Sequence, residues 1–258
     1  MINKIHNENC LDTMSKMQDN FIDLTVTSPP YDKLRAYNGY SFDFESIAKE
    51  LFRVTKEGGV LVWVVGDSTV KGSESGTSFK QALYFKEIGF NLHDTMIYKR
   101  RSKPLTHNRY EQHFEYMFVL SKSKPKTFNP IKQINKPRKT SKNEGYHNQA
   151  DGSKKKMSGQ RQKKSIIGNV FEYQVGNQLS TKDKMAFKHP AIFPEQLASD
   201  HIVSWSNEGD LVYDCFGGSG TTAKMSKILN RNFIISEVSK EYCNIIDERL
   251  KSLGTLLR

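Results

Sequence analysis

The sequence predicts an α/β fold: a doubly wound, mostly parallel sheet with helices on both faces and one inserted basic segment. Three observations point there. Short β-branched runs alternate with helical patterns of roughly 10–14 residues, the rhythm of βαβ units. Residues 60–65 (Val60, Leu61, Val62, Trp63, Val64, Val65) are apolar without a break, as a strand covered on both faces requires. Residues 215–220 place three glycines, Gly217, Gly218 and Gly220, between a strand pattern and a helix pattern.

In chain order, residues 21–27 form the first clear strand, rich in β-branched side chains and closed by Pro29 and Pro30. A helical pattern covers 42–55 through Ile47, Ala48, Leu51 and Phe52, and Gly58-Gly59 reads as its stop. After the strand at 60–65 comes a helix over 77–88, ended by Gly89. Strands are expected at 94–99 and 114–121, on either side of a basic loop at 100–109 flanked by His107 and His113. Residues 194–205 read as helix, 210–214 as a short strand, 221–230 as helix, 232–237 as strand and 241–253 as a last amphipathic helix.

The 258 residues suffice for one large domain, or one domain with an insertion. No run approaches the ~18–20 uncharged apolar residues of a membrane span. Residues 1–8 lack the apolar core and cleavage site of a signal peptide. Three cysteines, Cys10, Cys215 and Cys243, are too few and too scattered for a disulfide framework or a zinc cluster, and the seven histidines show no metal spacing. A secreted mini-protein, a membrane protein and a zinc-finger regulator are disfavoured. The expectation is a cytoplasmic protein that needs no metal.

The net charge of +11 is unevenly placed. Residues 121–164 hold 14 Lys/Arg against two acids, Glu144 and Asp151, while the remaining chain has 25 basic and 26 acidic residues. This segment is also rich in Ser, Asn, Gln and Gly. It reads either as a solvated linker or as an arm that displaces counterions from the phosphates of a polyanion. The chain therefore divides into 1–120, a basic 121–180 and 181–258, the outer two being halves of one domain.

Asp214-Cys215-Phe216-Gly217-Gly218-Ser219-Gly220-Thr221-Thr222 joins a strand to a helix. Glycines there permit a sharp turn and close approach to a ligand, with helix N-terminal N–H groups facing it. Glu237 ends the next strand, 20 residues beyond Gly217. An acid at that place in a doubly wound sheet can accept hydrogen bonds from the ribose of a nucleoside cofactor. The loop is neither Gly-x-Gly-x-x-Gly nor, lacking Gly-Lys-Ser/Thr, a P-loop.

Thr27-Ser28-Pro29-Pro30-Tyr31 is the second informative stretch. Two successive prolines fix an extended corner at the strand's C-terminal edge, where open α/β sheets place their ligands. Ser28 offers a hydroxyl oxygen, Pro29 a carbonyl oxygen and Tyr31 a flat ring. That set suits an extruded nucleobase, with two acceptors for an exocyclic NH2 and a ring to stack on. The plainer alternative is a strand-ending turn.

Together the corner and the loop resemble the motifs of the DNA amino-methyltransferases, which methylate exocyclic nitrogens with S-adenosylmethionine. Ser28-Pro29-Pro30-Tyr31 resembles their catalytic motif, (Asp/Asn/Ser)-Pro-Pro-(Tyr/Phe/Trp), and Asp214-x-Phe216-x-Gly218-Ser219-Gly220-Thr221-Thr222 their cofactor motif. The order of the two resembles the β-type arrangement, and the resemblance spans nearly the whole chain. It implies a seven-stranded, Rossmann-like methyltransferase sheet with target recognition in the basic region. DNA contacts would come from Lys136, Arg138, Lys139, Lys154, Lys155, Lys156, Arg161 and Lys163.

Cofactor contacts would come from Asp214, Phe216, Gly217, Gly218, Ser219, Gly220, Thr221, Thr222 and Glu237. Lys188, His189 and Pro190 join them, in a segment similar to the one that closes over the cofactor's methionine end. Asn9 stands where many relatives carry an acid near the adenine ring, and the resemblance makes it the cofactor-contact candidate at that place. The implied partner is double-stranded DNA with a flipped target base; a homodimer and a cognate restriction endonuclease are the further partners the family allows.

A serine at the head of the catalytic motif occurs most often in cytosine-N4 enzymes, and aspartate in adenine-N6 enzymes. The resemblance thus implies cytosine-N4 methylation, with adenine-N6 as the alternative. A catalytically silent DNA-binding module is disfavoured by the complete corner and loop, and a nicotinamide oxidoreductase by the Pro-Pro corner. Carbon-5 cytosine chemistry usually uses a cysteine after a proline, and no Pro-Cys pair exists here. The three cysteines read as packing residues.

Overall fold

The alternation within residues 60–65 fixes the layering. In the structure, a computed structural model that describes residues 1–30, 42–100, 109–135, 146–156, 163–176 and 179–256, Val60, Val62 and Val64 pack into one apolar layer. Leu61, Trp63 and Val65 pack into the other. All six are buried, each contributing about 1.5–3 kcal/mol when removed from water.

Contacts divide the chain into two compact units, Met1–Asn129 with Asn169–Arg258, and Pro130–Gly168. In chain order the larger contains β1 (Lys4–His6), α1 (Cys10–Ser15), β2 (Ile22–Thr27), α2 (Phe44–Val54), β3 (Thr55–Val65), α3 (Thr77–Glu87), β4 (Asn91–Lys99) and β5 (Phe114–Ser121). After the smaller unit come β6 (Val170–Glu172), α4 (Glu195–Trp205), β7 (Leu211–Asp214), α5 (Thr221–Ile228), β8 (Asn232–Ser236) and α6 (Lys240–Leu256). One sheet runs β1-β8-β7-β2-β3-β5-β4-β6. Its pairs are parallel except on the two sides of β5, which is antiparallel to β3 and β4.

The sheet has eight strands, one more than the seven implied by resemblance. The addition is β6, pairing Val170 with Ile97 and Glu172 with Lys99 at the edge; at three residues it is too short to show periodicity. The glycine pair Gly58-Gly59 also differs from its reading as a helix stop. Helix α2 ends at Val54, where Thr55 Oγ1 donates to the Leu51 carbonyl (2.6 Å), and β3 begins at once. The glycines sit in a bulge where pairing jumps from Ile22↔Thr55 to Leu24↔Val60.

Helices α1, α2 and α3 cover one face through Met14, Leu51 and Phe85. Helix α4 covers the other through Leu197, Ala198 and Ile202, while α5 and α6 contribute Ala223 and Ile246 against Phe233 and Ile235. From β2 the chain crosses by α2 to β3 on one side; from β7 it crosses by α5 to β8 on the other. The neighbouring strands β2 and β7, paired at Val212↔Leu24 and Tyr213↔Thr25, therefore send their following connections to opposite faces. That switch point opens a crevice in any doubly wound sheet.

Among its described residues the smaller unit contains two antiparallel ribbons. Lys132–Ile134 pairs with Lys164–Ile166, and Tyr146–Asn148 with Lys154–Lys156. Ile134, Ile166 and Tyr146 are exposed beside the lysines. Among the described residues, no helix is long and apolar enough to cross a membrane, and no group of three or more His, Cys, Asp or Glu could hold a metal ion.

Candidate active site

Strand β2 delivers Ser28 and Pro29 to the switch point, and β7 delivers the glycine loop beside them. A buried hydrogen bond joins the two: Thr27 Oγ1 donates to Asp214 Oδ1 at 2.7 Å. The Phe216 N–H donates to the same carboxylate oxygen (3.1 Å), and Thr222 Oγ1 donates to the Val26 carbonyl (3.3 Å). Burial raises the Asp214 carboxyl, with Thr27 and Thr222 opposing it by favouring the charged form. Asp214 thus acts as the fastener between corner and loop.

The turn itself is set by packing. The Gly217 N–H donates to the Ser236 carbonyl (2.9 Å), and the Gly220 N–H to the Gly217 carbonyl (2.7 Å). Gly220 caps α5 at φ +80°, and a Cβ there would lie 2.7 Å from Ile246 Cγ2, so both conformation and space demand glycine. Behind β8, Glu237 is buried. Its Oε2 accepts the Gly218 N–H (2.7 Å) and its Oε1 the Ser239 N–H (2.8 Å). Burial pushes its carboxyl above the usual value, against those two N–H donors.

A cleft of about 1790 Å³ runs along these strand ends. Ser28, Pro29 and Pro30 line it from the corner, and Asp214, Phe216, Gly217, Gly218, Ser219 and Thr221 from the loop. Glu237, Tyr242, His189 and Pro190 also line it. The His189 Nδ1 accepts the Ala191 N–H (3.1 Å), and its ring meets Tyr242 edge-on at 4.4 Å. Gly220, Thr222 and Lys188 are not part of the cleft wall: the first two face the packing beneath the loop, and the Lys188 side chain is exposed.

Asn9 lines the cleft while its Oδ1 caps α1 by accepting the Leu11 N–H (2.9 Å). Its neighbour Glu8 adds a carboxylate to the same wall, held by Thr13 Oγ1 (3.0 Å) and Lys16 Nζ (2.5 Å). Cys10 is buried, its thiol pushed up to about 12 by desolvation, and Cys215 and Cys243 are raised for the same reason. Thiolate chemistry has no support at any of the three.

Sequence reasoning missed the far wall, where Ser68, Tyr98, Arg100, Glu115 and Val175 line the cleft. Arg100 Nε and Glu115 Oε1 pair at 2.9 Å. Tyr98, Arg100 and Glu115 are brought together by the antiparallel pairing of β4 with β5 (Tyr98↔Glu115), and no local motif marks them. It also missed Asn7, whose Nδ2 donates to the carbonyls of Glu237 and Val238 (both 2.9 Å) and pins the end of β8.

Of the residues expected at the DNA, Lys154, Lys155 and Lys163 are exposed on the smaller unit. Lys156 ends a ribbon strand there. Lys136, Arg138, Lys139 and Arg161 lie outside the described residues, as do Tyr31 and His107.

The groups lining the cleft fit S-adenosylmethionine: a carboxylate acceptor for a ribose at Glu237 and the aromatic rings of Phe216 and Tyr242. A family model described as DNA methylase matches residues 22–248. The orphan methyltransferase M.BamHII of Bacillus amyloliquefaciens is 60% identical over 236 residues, covering 90% of this chain and 89% of its own. The type II methyltransferase M.BglII of Bacillus subtilis is 26% identical over 251 residues, covering 95% and 68%. Among solved structures, the cytosine-N4-specific PvuII DNA methyltransferase superposes with a TM-score of 0.71 at 21% identity, covering 95% of this chain and 85% of that one. A DNA modification methylase of Thermus thermophilus, complexed with S-adenosyl-L-methionine, gives 0.65 at 19% identity, covering 96% and 93%. The chain belongs to the N6/N4 DNA methylase family: it is a DNA methyltransferase whose methyl donor is S-adenosylmethionine.

Proposed function

We propose that the enzyme methylates N4 of cytosine in double-stranded DNA, drawing the target base out of the helix into the cleft. The observation that carries this reading is the adjacency of Ser28-Pro29 and the glycine loop in one cleft, fastened by Thr27 and Asp214. At about 1790 Å³ the cleft exceeds the ~300–1,000 Å³ typical of a single small ligand, leaving room for cofactor and nucleotide together.

S-adenosylmethionine supplies an electrophilic methyl group. The protein's task is to make the base amino group a nucleophile. In the free base its lone pair is delocalised into the ring. Acceptance of its two N–H groups by Ser28 Oγ and the Pro29 carbonyl favours a pyramidal nitrogen with the lone pair turned outward. The same oxygens stabilise the positive charge that develops on nitrogen. Serine is a weak base, so the proton leaves during or after transfer rather than before it. Tyr31 supplies the stacking face. Glu237 offers its remaining lone pairs to the ribose hydroxyls, and His189 and Pro190 cover the methionine end.

The DNA is gripped by the basic region through Lys154, Lys155, Lys156 and Lys163, with Lys136, Arg138, Lys139 and Arg161. Serine at the head of the motif favours cytosine over adenine N6, and a neighbour of the same fold is cytosine-N4-specific by name. The 60%-identical relative is named an orphan methyltransferase, which favours action without a cognate endonuclease over a paired restriction system. Incubation of plasmid DNA with labelled cofactor, followed by nucleoside analysis and single-molecule sequencing, tests this. N4-methylcytosine at a defined site is expected; N6-methyladenine alone would overturn the base assignment.

A further inference from the structure

Four charged side chains behind the glycine loop are absent from every motif. Arg249 of α6 is fully buried at 0% exposure and Lys224 of α5 nearly so. Arg249 donates from Nε to Asp183 Oδ2 (3.0 Å), from Nη2 to Glu195 Oε1 (2.8 Å) and from Nη1 to the backbone carbonyl of Ser219. The same Nη1 lies 3.4 Å from both Ser219 Oγ and Thr221 Oγ1. Lys224 Nζ reaches Asp183 Oδ2 (2.8 Å) and Glu195 Oε1 (2.7 Å), and Thr181 Oγ1 donates to Glu195 Oε1 (2.5 Å). Two cations meet two anions, so the cluster is charge-balanced. Burial alone would raise the Asp183 carboxyl, but Lys224 and Arg249 outweigh it and hold it below the usual value.

The placement of the acids matters more than their number. Asp183 stands just before, and Glu195 just after, the segment 184–194 whose Phe187, His189, Pro190 and Phe193 line the cleft. The fork of Arg249 thus spans both ends of this segment and holds the loop opposite. The two walls meet where a Cβ on Gly218 would lie 3.2 Å from His189 Nε2. Buried ion clusters are poor stabilisers, because desolvation consumes most of the Coulomb gain, and apolar side chains of like volume often serve stability as well or better. In some proteins such groups fix geometry instead, and a planar, always-charged guanidinium suits a three-way junction better than an ammonium.

We propose that Arg249, supported by Lys224, Asp183 and Glu195, is a positioning residue that locks the glycine loop to segment 184–194 and so sets the cofactor end of the cleft. The proposal rests on the assignment of the glycine loop to S-adenosylmethionine.

The test uses the full chain with Arg249→Lys, which keeps the charge but loses the fork, and Glu195→Gln as a milder companion should the first fail to fold. Calorimetric binding of S-adenosylmethionine, KM for cofactor and for DNA, kcat, and hydrogen exchange at the amides of residues 217–222 in the free protein are measured. Expected are a roughly 10- to 100-fold weaker cofactor Kd, a matching rise in cofactor KM that exceeds any change in kcat or in KM for DNA, and faster exchange in the loop. A folded variant with lowered Tm but unchanged cofactor Kd and unchanged loop exchange would overturn the proposal. So would equal losses in kcat and both KM values. Cofactor added to the unsubstituted protein should protect amides 217–221. Protection elsewhere would instead remove the cofactor assignment on which the proposal stands.

Discussion

Along the seam between β2 and β7, Ile22, Leu24, Val26, Val212 and Tyr213 are completely buried, and even the polar side chains Thr27, Asp214 and Thr222 are enclosed and bonded to one another or to backbone. In the unit Pro130–Gly168 the ribbon strands are three residues long, with Lys132, Gln133, Ile134, Lys164 and Ile166 all exposed. On the proposed reading the first region places the reacting groups, and each side chain there is held from several sides. The second presents charge and shape to solvent, so a side chain there is held by little beyond its own strand. A substitution in the seam should therefore change chemistry or folding, and one in the ribbons should change only encounter with a polyanion.

Ser28→Ala should give the largest effect and is the hardest test of that contrast. Loss of one oriented acceptor should lower kcat by about 10²–10³-fold while cofactor affinity stays within a small factor. Steady-state turnover on plasmid, with calorimetry of the cofactor, checks both. Comparable losses in binding and turnover would show that the corner braces the loop rather than acting on the base. Next comes Gly220→Ala. A left-handed φ and a Cβ forced against Ile246 should together cost about 2–4 kcal/mol of stability, read as a lowered chemical-denaturation midpoint. An unchanged midpoint would mean that the loop is less tightly packed than its contacts imply.

The same contrast governs what could be read in advance. The seam was legible because its constraints are local: the continuous apolar run at 60–65, the Pro29-Pro30 pair and the glycines of residues 217–220 each state their backbone requirement in consecutive letters. The spacing from Gly217 to Glu237 was legible because a βαβ unit fixes that distance along the chain. Gly58-Gly59 misled because glycine marks a bulge as readily as a helix end, and only strand pairing decides. Arg249, Asp183 and Glu195 were silent because a buried ion cluster unites residues up to 66 positions apart, and each alone looks like an ordinary surface charge. Tyr98, Arg100 and Glu115 were silent because only the antiparallel pairing of β4 with β5 brings them to one wall.

Glu237→Gln should weaken cofactor binding by about tenfold, since one strong acceptor for ribose hydroxyls is lost. Acidity gives the cleaner signature. Burial holds the folded carboxyl above its ordinary 4.5, so the ionised acceptor is lost as pH falls through that raised value. Cofactor affinity in the unsubstituted protein should begin to fall at a pH above 4.5, and the Gln variant should lack that limb. An identical pH profile in both would separate Glu237 from the ribose.

The smallest effects belong to the ribbons. Lys154→Ala, Lys155→Ala and Lys163→Ala each remove one exposed cation from short elements that depend little on them, so Tm should not move. If these side chains meet phosphates, each substitution should reduce the slope of log Kobs for DNA against log salt by about one and weaken all sequences alike. The site methylated should stay the same, because phosphate contacts position a protein without reading bases. Unchanged slopes would make the basic segment a solvated linker and shift DNA binding to the rim of the cleft. A changed methylation site would instead make these lysines readers of base edges, and the division of labour between seam and ribbons would be less sharp than their burial suggests.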